Sequence, residues 1–89
     1  EVMTLELPEK FQALRIDKRV DARGLNCPLP LLKARQALRD MAAGETLLVL
    51  ATDAGSWRDF AAFAEQSGHV LLEAAEIDAV FYYLLQRRV

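Results

Sequence analysis

The residues best suited to chemistry lie in one short stretch, Cys27-Pro28-Leu29-Pro30, which carries the only cysteine of the chain. Leu31, Ala34, Leu38 and Met41 recur behind it at the spacing of one apolar helix face, with Lys33, Arg35, Arg39 and Asp40 on other faces. A helix is therefore predicted to start at or just after Cys27. Pro28 suits the first helical position, where a missing N–H costs nothing, and Pro30 falls in the same turn. With Cys27 as N-cap, its sulfur would face the unpaired Leu29 N–H and the positive end of the helix dipole, both of which favour a thiolate. Such a thiol has a lowered pKa and is nucleophilic.

The competing reading is burial, because free cysteines are commonly packed as small hydrophobes. Three features favour a working thiol: the proline-marked helix start, the polar turn Asp21-Ala22-Arg23-Gly24-Leu25-Asn26 before it, and a local excess of positive charge. From Arg15 to Arg39 there are seven Lys or Arg against two Asp, although the whole chain carries a net charge of −2. Arg19, Arg23, Lys33 and Arg35, with Asn26 beside the thiol, are the residues expected to dock a partner, the cations steering an acidic surface. Gly24, Pro28 and Pro30 are expected to shape the site.

The run Asp21 to Pro30 resembles the CPxP signature of the TusA/SirA-like sulfur carriers, small proteins that hold a persulfide on that cysteine. The likeness continues through Gly44-Glu45-Thr46-Leu47-Leu48-Val49, Arg58-Asp59-Phe60, Gly68-His69 and Tyr82-Tyr83-Leu84-Leu85, and so covers roughly Val20 to Arg88. Two departures bear on partner choice: Asp53-Ala54-Gly55-Ser56 stands where the family often has Asp-Pro, and Leu29 replaces a frequently acidic residue. The resemblance implies the family's fold, with a cysteine desulfurase or rhodanese as sulfur donor. It also implies an acceptor sulfurtransferase or cofactor-assembly protein, in tRNA thiolation, molybdenum-cofactor assembly or sulfur oxidation.

Eighty-nine residues suffice for one two-layer core but not for a separate catalytic lobe. A pI near 5.3 argues against nucleic acid as a main partner. A single cysteine forms no internal disulfide, and nothing at the N-terminus reads as a signal segment, so a cytoplasmic protein is expected. The longest apolar run, Ala79 to Leu85, is far below the roughly 20 residues of a membrane helix. A monomer without cofactor is expected. His69, the sole histidine, gives with Cys27 only two candidate metal ligands, fewer than zinc sites use. It is expected near a helix end or in packing.

Six segments follow from the pattern. Lys18 to Ala22 is a strand; a helix runs from Pro28 to about Ala43, with Gly44 as its cap; continuously apolar Thr46 to Ala51 is a central strand. Asp53 or Ser56 is expected to cap a second helix, whose apolar stripe is Trp57, Phe60, Ala61 and Ala64 and whose end is Gly68. Val70 to Ala75 and Ala79 to Gln86 form a hairpin joined by Glu76-Ile77-Asp78. The expected α/β fold is a two-layer sandwich in the order β-α-β-α-β-β, with two helices on one face of a mixed four-stranded sheet. Residues 18–89 make this domain. Residues 1–17 read as a partly ordered N-terminal extension, or as a segment that covers a sheet edge or docks on a partner through Phe11 and Leu14.

A persulfide carrier needs one exposed nucleophile and two docking surfaces, which suits so small a domain. The alternative from another class is a non-enzymatic regulatory interaction module in which Cys27 packs or senses redox state. A thioredoxin-like reductase ranks last, because no second cysteine could resolve a mixed disulfide.

Overall fold

The structure, a computed structural model, describes residues 7–12 and 14–89. A short helix, α1 (Glu9–Gln12), precedes β1 (Lys18–Ala22), α2 (Leu29–Arg39), β2 (Thr46–Ala51), α3 (Ser56–Ser67), β3 (Val70–Ile77) and β4 (Val80–Gln86). The sheet order is β1-β2-β4-β3, with β1 parallel to β2 and the other pairs antiparallel. Two helices cover one face of a mixed four-stranded sheet, as the apolar pattern requires.

Central β2 is buried along its whole length and alternates between two clusters. Leu47, Val49 and Ala51 meet Ala34, Leu38, Phe60, Tyr83 and Leu85 beneath the helices. Leu48 and Leu50 point the other way and pack with Tyr82, Leu84 and Phe11. The extension therefore supplies a cover for the second sheet face, not an edge. Phe11 is 0% exposed and its ring lies 5.9 Å from that of Tyr82, whereas Leu14 stays 36% exposed. The arm is anchored where Thr46 N–H donates to Asp17 Oδ2 at 2.9 Å and Asp17 N–H to Thr46 O at 3.0 Å. These bonds, with the neighbouring Arg15, hold the Asp17 carboxyl below its usual range. The part of the expected extension that precedes Leu7 lies outside the described residues.

Three boundaries differ from expectation. Helix α2 ends at Arg39, not near Ala43, because Ala42 N–H is taken by Glu45 Oε1 at 2.8 Å and Gly44 N–H by Arg87 O at 2.9 Å. Gly44, at φ +85°, thus serves a turn five residues beyond the end of the helix. The hairpin is tighter than expected: β3 runs to Ile77, and Asp78-Ala79, at φ 52° and 65°, make a two-residue turn whose twist matches the strands. Neither Asp53 nor Ser56 caps α3 with its side chain, Gly55 occupying the N-cap position. Among the described residues no helix is long and apolar enough to cross a membrane.

Candidate functional site

Because β1 and β2 are parallel, the loops that leave them emerge at one end of the sheet, and α2 and α3 both start there. The two loops are tied directly: Gly24, at φ +83°, donates its N–H to Thr52 Oγ1 at 2.9 Å. A side chain at Gly24 would meet no atom, so its glycine is required by the left-handed backbone and not by space. Leu25 N–H donates to Ala22 O, and the chain then presents Cys27 exposed in front of α2.

The thiol does not cap α2. The helix starts at Leu29 with Pro28 in the N-cap position, and the Leu29 N–H is already taken by Asn26 O at 2.8 Å. The Cys27–Pro28 peptide bond is cis. Instead of a free backbone donor, the sulfur meets a carboxylate, and Cys27 Sγ–H donates to Asp59 Oδ2 at 3.1 Å. That hydrogen bond, partial desolvation and the negative charges of Asp59 and Asp53 push the thiol above its ordinary pKa. The lowered pKa expected from the helix start is thereby corrected: a carboxylate 3.1 Å away opposes ionisation of the sulfur more strongly than the dipole favours it.

Helix α3 aims Asp59. Ser56 is buried at its start, and its hydroxyl donates to Asp53 O at 2.7 Å while sharing a 2.6 Å hydrogen bond with the Tyr83 hydroxyl of β4. Phe60 stacks on the Tyr83 ring at 4.3 Å. Burial keeps the Tyr83 phenol neutral by raising its pKa. The first turn of α3 is thus pinned to the sheet at two points, which fixes Trp57, Arg58 and Asp59 around the sulfur. An open groove of about 560 Å3 runs between Cys27, Ala54, Gly55, Trp57, Arg58 and Asp59. Trp57 is 47% exposed and leans on Phe81 and Tyr83, so it is a wall of this groove and not the core residue expected from its spacing; Ala61 is also exposed. Asp53 Oδ2 is buried without a hydrogen-bond partner, and a Cβ on Gly55 would stand 3.1 Å from it.

The other expected site residues are dispersed. Asn26 is exposed beside Cys27 and closes the loop through its carbonyl; Pro28 is exposed, whereas Pro30 is buried in α2. Arg23 is held by Asp21 in a forked ion pair, Nε–Oδ1 2.8 Å and Nη2–Oδ2 2.7 Å, which lowers the Asp21 pKa. Arg19 pairs in register with Leu48 and so lies on the sheet face turned away from the helices. Lys33 is exposed on α2. Arg35 belongs to a different groove, with Arg39, His69, Arg87 and Arg88. Arg58 and Asp59, which line the thiol groove, were legible in the sequence only through topology: two parallel strands place the start of the second helix beside the loop after the first.

Among the described residues no cluster of three potential metal ligands occurs. Over residues 18–87 the chain matches the family described as Sulfurtransferase TusA, and that match begins at β1. It is 52% identical over 69 residues to a protein of Neisseria meningitidis serogroup A, covering 78% of this chain and 93% of that one. It is 48% identical over 71 residues to the sulfur carrier protein TusA of Allochromatium vinosum, covering 80% and 93%. The crystal structure of a SirA-like protein from Desulfitobacterium hafniense superposes with a TM-score of 0.72 at 28% identity, covering 81% of this chain and 99% of that one.

Proposed function

The chain belongs to the TusA family, and from that premise we propose that Cys27 accepts sulfur as a persulfide and relays it to an acceptor protein. The observation that carries this reading is the exposed Cys27 sulfur at the mouth of an open groove, on a loop tied to its neighbour and pinned from below. In uptake the Cys27 thiolate attacks the outer sulfur of a donor persulfide R–S–SH. The new Sγ–S bond forms as the donor S–S bond breaks, the donor leaves as R–S⁻ and Cys27 becomes Cys27–S–SH. Delivery repeats the exchange with an acceptor thiolate attacking the outer sulfur.

Asp59 sets when this happens. In the free protein its carboxylate holds the thiol protonated, which also slows oxidation, since the thiolate is the reactive form. A donor that brings a cation against Asp59 neutralises that effect and releases the thiolate at the moment of docking. The donor is a cysteine desulfurase or a rhodanese, and the acceptor a sulfurtransferase or a cofactor-assembly protein. Arg58 in the groove, with Asn26 and Lys33 at the start of α2, supplies polar contacts for both. Arg23 contributes as half of an ion pair. An exposed free thiol suits a reducing compartment, which supports a cytoplasmic location.

The test is intact mass after incubation with cysteine and a cysteine desulfurase, or with thiosulfate and a rhodanese. The wild type should gain one sulfur and Cys27→Ser none. A thiol that stays alkylatable yet gains no sulfur from either donor would overturn the carrier reading and favour a regulatory interaction module.

A further inference from the structure

The end of the molecule opposite Cys27 carries a second groove, of about 360 Å3, lined by Arg35, Leu38 and Arg39 of α2, Phe63, Gln66 and Ser67 of α3, and His69, Arg87 and Arg88. Among the described residues it holds four arginines and no carboxylate. Its α2 residues stand about 9–15 Å along the helix axis from Leu29, at the end of the helix away from the thiol.

Two of the four cations have structural work. Arg87 Nε donates to Leu38 O at 2.7 Å and Arg88 Nη1 to Ser67 O at 2.9 Å, so each satisfies a carbonyl in the last turn of one helix. Each helix end carries roughly half a negative charge, together about one against four positive charges. Arg35 and Arg39 have no such role. They stand at i and i+4 on α2, exposed and without a hydrogen bond or ion pair among the described residues. Like charges at that spacing destabilise a helix unless something neutralises them. The nearest carboxylates in sequence, Asp40 and Glu65, do not line the groove.

His69 completes the set. Its Nδ1 accepts the Arg88 backbone N–H at 3.0 Å, which leaves the neutral ring's proton on Nε2 as a donor. Burial and then the charges of Arg88 and Arg87 lower its pKa. Several guanidinium forks and an imidazole donor around a small groove match the charge and geometry of a tetrahedral oxyanion. Leu38 and Phe63 add an apolar wall that a bare ion does not use.

We propose that this arginine groove binds a doubly charged tetrahedral oxyanion of the phosphate or sulfate class, free or carried as an ester on a small molecule. The site is independent of the sulfur chemistry at Cys27, and its test reads a different residue.

His69 is the only histidine of these 89 residues, so its imidazole signals in NMR spectra of this chain are unambiguous. Titration with inorganic phosphate, sulfate and glucose 6-phosphate, each at an ionic strength held constant with chloride, should shift those signals along a saturating curve. Arg35→Ala/Arg39→Ala should weaken the binding at least about tenfold, because hydrogen bonds to charged groups are lost. The double variant should unfold no earlier than the wild type and keep its sulfur uptake, as neither side chain holds the fold and their mutual repulsion is removed. Tighter binding of glucose 6-phosphate than of phosphate assigns the groove to an ester; equal binding assigns it to the free anion. Shifts that follow ionic strength without saturating, or that saturate equally in the double variant, overturn the proposal.

Discussion

At the scale of single residues, the chemistry of this protein turns on one hydrogen bond, from Cys27 Sγ–H to Asp59 Oδ2. An ordinary cysteine titrates near about 8.5; here the carboxylate lifts the thiol above its usual range. At pH 7 the thiolate fraction is accordingly below that of free cysteine. Asp59→Asn keeps a hydrogen-bond partner but removes the charge. The midpoint of iodoacetamide alkylation against pH should fall, and the rate at pH 7 should rise several-fold. An unchanged midpoint would sink the role given to Asp59. Linkage gives a second reading of the same bond. A raised thiol pKa contributes stability that is present below the unfolded thiol's pKa and is lost as pH rises through the folded value. Asp59→Asn should therefore lessen the decline of the unfolding midpoint on the alkaline side.

At the scale of elements, α3 positions the carboxylate and β4 positions α3. Tyr83→Phe removes the hydroxyl that meets Ser56 Oγ while leaving Ser56 its bond to Asp53 O. A loss of about 1 kcal/mol is expected in denaturant unfolding. Because the first turn of α3 loosens, the alkylation midpoint should move toward that of Asp59→Asn; a stability loss with an unmoved midpoint would show that Ser56 and Tyr83 support the fold alone. The hairpin between β3 and β4 offers a gain. Ala79 holds φ 65°, a region that disfavours a Cβ. Ala79→Gly should stabilise by about 1 kcal/mol and raise Tm by several degrees, read by thermal unfolding.

At the scale of the whole molecule, the sheet has two covered faces with different owners. The helices cover the face that leads to Cys27, while the arm before β1 covers the other through Phe11. The family match starts at residue 18, so this cover lies outside it. Phe11→Ala empties a fully buried site and should cost about 3 kcal/mol in denaturant unfolding. The folded variant should take up sulfur at the wild-type rate, because no atom of the thiol groove belongs to that face. Slower uptake at equal folded fraction would instead couple the arm to the site. The two ends of the helices also differ in charge, with Asp53, Asp59 and Arg58 by the thiol and four arginines at the far end.

The order of strands and helices, the mixed sheet and the exposed thiol were legible because each depends on local signals: period-two and period-3.6 apolar spacing, a glycine at φ 83° after α3, and prolines at the start of α2. Distances across the fold were not legible, and the site depends on them. Asp59 is 32 residues from Cys27 in sequence and 3.1 Å away in space. Read along the chain, Asp59 is an acidic residue in a first turn and Trp57 a core aromatic; only the parallel pairing of β1 and β2 turns both toward the sulfur. The same pairing decides the sign of the thiol's pKa shift, since an N-terminal dipole is a property of one helix and a facing carboxylate is a property of two. Arg19, Arg23 and Arg35, neighbours in the sequence, end on a sheet face, in an ion pair and in a remote groove. A strand, a turn and a helix each point successive side chains in directions that only their tertiary placement makes common.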